Sequence, residues 1–527
     1  MGDSRPNRRE LIKRGAGGAA AAAVAAGGVI PPAQATVRPD KLVRSRRATR
    51  GGKALSDAEF HRGYLTCFAS LTEEVSIKRL PVEGTIPRWL SGTYVRNGFA
   101  DFEVGRHTFN HLSDGLAMLH RFSFRRGAVS YANRFLRSSQ FDSAREEQRI
   151  AYSELATEPP AHDPVTDLPR PYRLGPVPNA NLTVKRIGSK AVALTEYPPP
   201  VVFDPKSLKT LGVDKSFGGE LHLTTSHPQL DPRTGELVDY QVRVLPPAYV
   251  VRSFRNGAWR KLGEVPVDRI AYLHSFALTE RYAVIVEGPF MLRPSDLLLA
   301  DKPILEKYRW EPDRGTRFIV IDRRRGRHVA TLRGDPFFTF HVINAHDNGS
   351  RLTIDLAAYE DSSIFGAMYL PRLRGQTSRP FGFDLDTRRC TLDLSANKVR
   401  TQRIGPGLEF PRIDYSRLHT RPYRYVYGAS LRDKQTSGWF DQIGKLDTTT
   451  GRVKIWRERG CFPGEPFFVP TPGTTREDGG VLLSVVVDGR TRTSFLLVLD
   501  ARTLEEVGRA LVPHHIPFGL HGEFFSS

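Results

Sequence analysis

The chain has 527 residues, of which 39% are hydrophobic, with 30 Phe and 17 Tyr. That is enough for a substantial core, in about two to four average domains or one long all-β fold. The formal charge is +20, but no Lys/Arg run is interleaved with aromatics, which argues against nucleic acid as a partner. Cys67, Cys390 and Cys461 lie far apart with no Cys-x-x-Cys pair, which excludes a disulfide framework and a thiolate metal site.

The N-terminus has the three parts of an export signal. Arg8 and Arg9 precede Leu11-Ile12-Lys13, a weakly apolar Ala/Gly stretch follows, and Ala33-Gln34-Ala35 supplies a small-residue cleavage site. The arginine pair before a hydrophobic dipeptide and Lys is similar to a twin-arginine signal. The stretch is too short and too weakly apolar to span a bilayer. Residues 1–35 are therefore expected to direct export to a periplasmic, cell-envelope or secreted location. Residues 36–63 read as a basic, disordered linker, and residues 64–527 as one folded unit.

From residue 64 onward, short apolar runs such as RYAVIVE, RFIVID and SFLLVLD alternate with turn residues, and no long segment has helical periodicity. An apolar strand ending in Asp, then a short polar turn and another strand, recurs at Asp204, Asp231, Asp322, Asp384, Asp447 and Asp500. Asp at a strand end hydrogen-bonds its own turn. FRRGAVSY and FRNGAWRKLG add two more hairpins with Gly at the turn. Hairpins at irregular, blade-sized spacing predict an all-β chain: a single β-propeller with long insertions on one face. A two-sheet sandwich is the alternative, but no linker divides the chain into units of that size.

Four of the fifteen histidines sit at strand ends in apolar or aromatic company: His227, His274, His341 and His521. Imidazole in such a place needs a partner, because an unpaired buried polar group costs roughly 1–3 kcal/mol. Their separations are far too wide for a local metal motif such as His-Glu-x-x-His. They suit ligands delivered by different blades to one axis, although spacing alone is a weak signal.

Taken in order, GTYVRNGFADFEVG, FNHLSDGLAMLHRFSF, YLHSFALTERYAVIVEGP, FHVINAHDNG, LEFPRIDY, FPGEPFFVP, LLSVVVDG and IPFGLHGEFF resemble the carotenoid cleavage oxygenase family. The likeness is greater to its animal-type branch, and the export signal marks a bacterial-type member. The resemblance runs from about residue 64 to the C-terminus. It implies a seven-bladed propeller, capped on its active-site face by helical and loop insertions, with one Fe(2+) per chain and O2 as co-substrate. The motifs match the iron ligands to His227, His274, His341 and His521. They match the glutamates that back those ligands to Glu196, Glu409 and Glu465. Thr195 matches a position near the open coordination site. Carboxylates accepting the second ring N–H would fix each ligand's tautomer and raise its basicity.

A lipophilic polyene substrate requires an apolar tunnel, and Phe109, Tyr272, Phe276, Phe338 and Phe518 flank the metal motifs as candidate linings. The stretch 288–308, with Phe290, Met291, Leu292 and Leu297–Leu299 among basic residues, reads as a peripheral membrane patch or a capping insertion. Two departures from the animal branch stand out: residues 138–180 lack its Pro-Asp-Pro-Cys-Lys stretch, and Phe99 stands where Pro is usual. The first puts isomerohydrolase activity and a lipid-linked cysteine in doubt. The expected function is oxidative cleavage of a conjugated C=C bond of a carotenoid or apocarotenoid. The rivals are stilbene-type cleavage and a non-catalytic, ligand-binding propeller.

Overall fold

The computed structural model describes residues 63–159, 175–217, 222–298, 302–375, 383–432 and 439–526. The export signal and all but the last residue of the basic linker lie outside these residues. Seven antiparallel sheets, each of at least four strands, make up the blades. In chain order they are blade 1 (92–135, with 519–526), blade 2 (183–213), blade 3 (222–266), blade 4 (277–334), blade 5 (342–406), blade 6 (409–456) and blade 7 (461–512). Their inner strands stand side by side around the axis: 519–526 beside 183–187, 277–278 beside 342–348, 342–348 beside 409–412, and 467–470 beside 519–526.

Two exchanges of strands close the ring. The C-terminal strand Gly519–Ser526 pairs with Gly92–Asp101 and so becomes the inner strand of blade 1. Near the other end of the chain, Val82–Gly84 pairs with Glu506–Val512 on the outer edge of blade 7. Closure of this kind protects the inner edges that an open sheet would expose. The apolar C-terminus is thus a core strand.

Sequence patterns follow position within a blade. Gly480–Asp488 (GVLLSVVVD), packed on both faces, is buried along nearly its whole length. Lys398–Pro406 (KVRTQRIGP), an outer strand, alternates between exposed and partly buried residues. The two predicted hairpins turn at Arg126-Gly127 and Asn256-Gly257, all four residues having positive φ. That is the backbone a two-residue turn between right-twisted strands demands. The Asp turns are present at five of the six expected places. Asp204, Asp231, Asp322, Asp447 and Asp500 each accept a backbone N–H two residues on. In blade 5 the role belongs to Asp393, which accepts from Ser395 and Ala396. Asp384 precedes that strand instead of ending it.

Much of the arginine excess is structural. Arg323 of blade 4 reaches Asp231 and Glu236 of blade 3, and Arg252 makes a two-pronged pair with Asp239 within blade 3. Cys67, Cys390 and Cys461 are all free and buried.

Short helical segments (139–147, 363–367 and 370–373) and a three-stranded sheet (270–271, 290–292 and 309–310) cap one face of the propeller. Of the two readings of 288–308, the capping insertion holds for its first apolar run. Phe290, Met291 and Leu292 are 8%, 1% and 0% exposed, and Phe290 stacks on Tyr308 and Phe365. The apolar run therefore packs inside the cap and is not available to lipid, and Leu297 is partly buried against the same cluster. Side chains of residues 298–301 lie outside the description. No helix among the described residues is long and apolar enough to cross a membrane.

Candidate metal centre

The structure brings His227, His274, His341 and His521 together, with one ligating nitrogen from each within 4.8 Å of all the others. Each comes from a different part of the ring. His521 lies on the inner strand of blade 1, and His227 follows the inner strand of blade 3. His274 and His341 lead into the inner strands of blades 4 and 5. Blades 2, 6 and 7 contribute Glu196, Glu409 and Glu465. Seven blades thus supply seven polar residues to one axis.

Each glutamate accepts from one imidazole. Glu196 Oε1 takes the Nδ1–H of His274 at 2.6 Å, and Glu465 Oε1 that of His521 at 2.7 Å. Glu409 Oε2 takes that of His341. With the proton held at Nδ1, Nε2 carries its lone pair toward the axis. His227 has no carboxylate partner among the described residues.

The glutamates are themselves held. Tyr272 Oη donates to Glu196 and Tyr359 Oη to Glu409, each at 2.7 Å. Glu409 also accepts the Phe410 N–H at 3.0 Å. Arg412 Nε donates to Glu465 at 2.8 Å, and the Gly522 N–H donates to the same carboxylate at 2.9 Å. Burial alone would raise the Glu465 carboxyl, but Arg412 and His521 outweigh it and hold it at about 2. Burial lowers His521 to about 3, and with the neighbouring imidazoles it also depresses His227. At neutral pH these rings are uncharged, the form that binds metal.

Hydrogen bonds tie each blade to the next around this centre. The His521 N–H donates to Leu182 O at 3.2 Å, and the Thr224 N–H to Glu196 O at 2.9 Å. Thr225 Oγ1 donates to His274 O at 2.7 Å and accepts the His227 N–H. Ser275 Oγ donates to Phe340 O at 2.6 Å and accepts the Val342 N–H. The His341–Glu409, Arg412–Glu465 and Glu465–His521 contacts complete the circuit. Sequence reasoning missed Thr225, Ser275, Tyr359 and Arg412. Arg412 lay within the quoted LEFPRIDY, but what it touches is fixed by blade 7, more than fifty residues on.

The donor set fits a metal. His341 and His521 both give Nδ1–H to carboxylates, yet their Nε2 atoms face each other at 3.0 Å. Two lone pairs so placed lack a donor between them, and a cation at the axis satisfies both. His274 Nε2, its Nδ1–H given to Glu196, lies 2.9 Å from His227 Nε2. Imidazole nitrogens suit iron among the first-row metals.

An aromatic-walled cavity opens on the centre, bordered by His274, His341 and His521. Its apolar wall is built from Phe99, Phe340, Phe365, Phe410, Trp439 and Phe440, and Thr195 also lines it. Of the five aromatics expected there, only Tyr272 lines it. Phe276 points into the layer between blades 3 and 4, edge-on to Tyr240. Phe338 packs behind Phe340 and Phe365, and Phe518 behind Trp439 and Phe440. Phe109 is buried in the cluster beneath the cap. Neighbouring aromatics therefore form two layers, and proximity to the metal motifs in the sequence could not separate them.

The fold and centre define a class: a capped seven-bladed propeller presenting four imidazoles backed by carboxylates to an apolar cavity. The retinal pigment epithelial membrane protein (RPE65) family profile matches residues 68–526, and the chain belongs to that family. It is 34% identical over 485 residues to the carotenoid isomerooxygenase of Galleria mellonella, covering 84% of this chain and 93% of that one. It is 31% identical over 518 residues to the β,β-carotene 15,15'-dioxygenase of Mus musculus, covering 86% and 90%. Among solved structures, the cobalt-substituted apocarotenoid oxygenase of Synechocystis superposes with a TM-score of 0.78 at 25% identity, over 90% of this chain and all of that one.

Proposed function

We propose that the chain is an Fe(II)-dependent dioxygenase that cleaves a conjugated C=C bond of a carotenoid or apocarotenoid, adding O2 to give two carbonyl products. The observation that carries this is the approach of two bare imidazole nitrogens, those of His341 and His521, within a four-histidine cluster at the floor of an aromatic cavity. His227, His274, His341 and His521 would hold the iron. Bound there, Fe(II) would supply the activation of O2 that a closed-shell alkene lacks.

The protein's own share is binding and positioning. Glu196, Glu409 and Glu465 hold three imidazoles in the tautomer and orientation that metal binding needs. Tyr272, Tyr359 and Arg412 keep those carboxylates in place. The aromatic wall excludes water and offers ring faces along an extended polyene. The stilbene alternative would need a Tyr/Lys pair for the phenol, and no lysine lines the cavity among the described residues. Of the three tyrosines on its lining, Tyr197, Tyr272 and Tyr359, the last two are already committed to glutamates.

Export through the twin-arginine route belongs to the same proposal. It suits a protein that loads its metal before leaving the cytoplasm. The net positive charge would also suit transient contact with an anionic lipid surface holding the substrate. A mature chain beginning at Thr36, and co-sedimentation of that chain with anionic vesicles, test these two points. For the activity, the iron-loaded chain is incubated with β-carotene, an apocarotenal and a stilbene, and product masses are measured. Paired carbonyl products from a polyene are expected; iron bound without cleavage of any polyene would overturn the substrate assignment.

A further inference from the structure

Among the described residues three carboxyls line the cavity, and two are accounted for by the metal centre. The third, Glu154, lies in the stretch 138–180 that departs from the animal branch, and it contacts no ligand histidine. It keeps part of its surface open to the cavity. Gln140 Nε2 donates to its Oε1 at 3.2 Å and also to Tyr152 O at 2.8 Å. Its own backbone N–H donates to Thr157 O at 2.8 Å. Gln140 Oε1 accepts the N–H groups of Ala151 and Tyr152. The carboxyl is therefore held on a fixed loop and aimed at a largely apolar space.

We propose that Glu154 is a specificity-determining residue that receives a hydroxyl or carbonyl group of the substrate, so that the chain favours oxygenated polyenes over hydrocarbons of equal length. The inference rests on reading the cavity as a polyene site. Burial and the neighbouring Asp114 carboxyl push Glu154 well above the ordinary carboxylate range. Asp114 is itself raised to about 7 by burial, against the hydrogen bonds it accepts from Thr157 and Ala156. A neutral carboxylic acid can donate to a carbonyl oxygen, and it can both donate to and accept from a hydroxyl. A hydrocarbon offers its O–H no acceptor once water is displaced, which penalises that ligand. Ser113 and Asn181 line the same stretch, with Asn181 Nδ2 donating to Ser113 O at 2.7 Å.

The test is equilibrium binding without oxygen, using the iron-loaded chain and three polyenes of one length ending in an aldehyde, an alcohol or a methyl group. The wild type should bind the first two at least ~10-fold more tightly than the third, or about 1.4 kcal/mol. Glu154→Leu, with unchanged iron content, should bind all three within about threefold of one another. A preference that survives Glu154→Leu overturns the assignment. So does a wild type indifferent to the terminal oxygen, a result that does not depend on the variant folding. Admitting O2 then separates the two claims. Preferential binding without cleavage removes the dioxygenase reading and leaves Glu154; cleavage without the preference removes Glu154 and leaves the dioxygenase reading.

Discussion

The axis and the cavity wall of this propeller are specified in different ways. At the axis three of the four imidazoles stand on a chain of named partners: His274 on Glu196 on Tyr272, His341 on Glu409 on Tyr359, His521 on Glu465 on Arg412. Replacing one member leaves a buried group unpaired, so each position tolerates few residue types. On the wall, Phe340, Phe365, Phe410 and Phe440 act together. What matters there is shape and the exclusion of water, and one ring can stand in for another. A site built from pairs is brittle at single positions, whereas a site built from a packed surface degrades gradually.

The comparison breaks most sharply at a ligand. His274→Ala should reduce iron from one per chain to background and abolish turnover, while far-UV circular dichroism stays near wild type because apolar clusters between the blades carry the fold. Removal of iron by a chelator should have the same effect reversibly. A smaller effect is expected one step out. Glu409→Gln should weaken iron binding by about 10–100-fold, measured by competition with a chelator, because the amide orients His341 less strongly. A further step out, Tyr359→Phe removes one buried hydrogen bond. It should cost about 1 kcal/mol of stability by denaturant unfolding and shift iron affinity by less than the Glu409 change.

Wall substitutions should leave iron content untouched. Phe365→Ala should raise KM for a polyene. Phe276→Ala, in the layer behind, should lower stability by about 3–5 kcal/mol without changing KM for the folded enzyme. The least effect on the centre should come from His514→Ala with His515→Ala. Those rings contact backbone carbonyls, His514 that of His515 and His515 that of Ala69, and neither reaches the axis.

The same division explains what could be read before the fold was seen. The apolar setting of His521, between Phe518 and Phe524, marked it as a buried imidazole in need of a partner, and the family resemblance made it a ligand. Glu465, between Gly464 and Pro466 and followed by two phenylalanines, was out of place for a surface acid. Tyr359 and Thr225 were not legible: a tyrosine at the end of RLTIDLAAY and a threonine beside a strand are unremarkable until another blade supplies their partner. Phe338 and Phe340 sit two apart in one segment, yet one packs behind and one faces the cavity. No periodicity distinguishes them, because the segment bends into the cap between strands. The two readings of 288–308 could not be separated in the sequence for a related reason. Phe290-Met291-Leu292 is apolar enough for lipid, but Tyr308 and Phe365 cover it first.

The central claim is that four imidazoles, one from each of four places around the ring, hold a single iron. X-ray absorption at the iron edge of the purified chain tests it most directly. The account predicts a nitrogen-dominated first shell with the outer-shell pattern of four imidazoles, reduced to three in any His521→Ala protein that retains metal. An oxygen-dominated shell, or an imidazole pattern unchanged by His521→Ala, would contradict it.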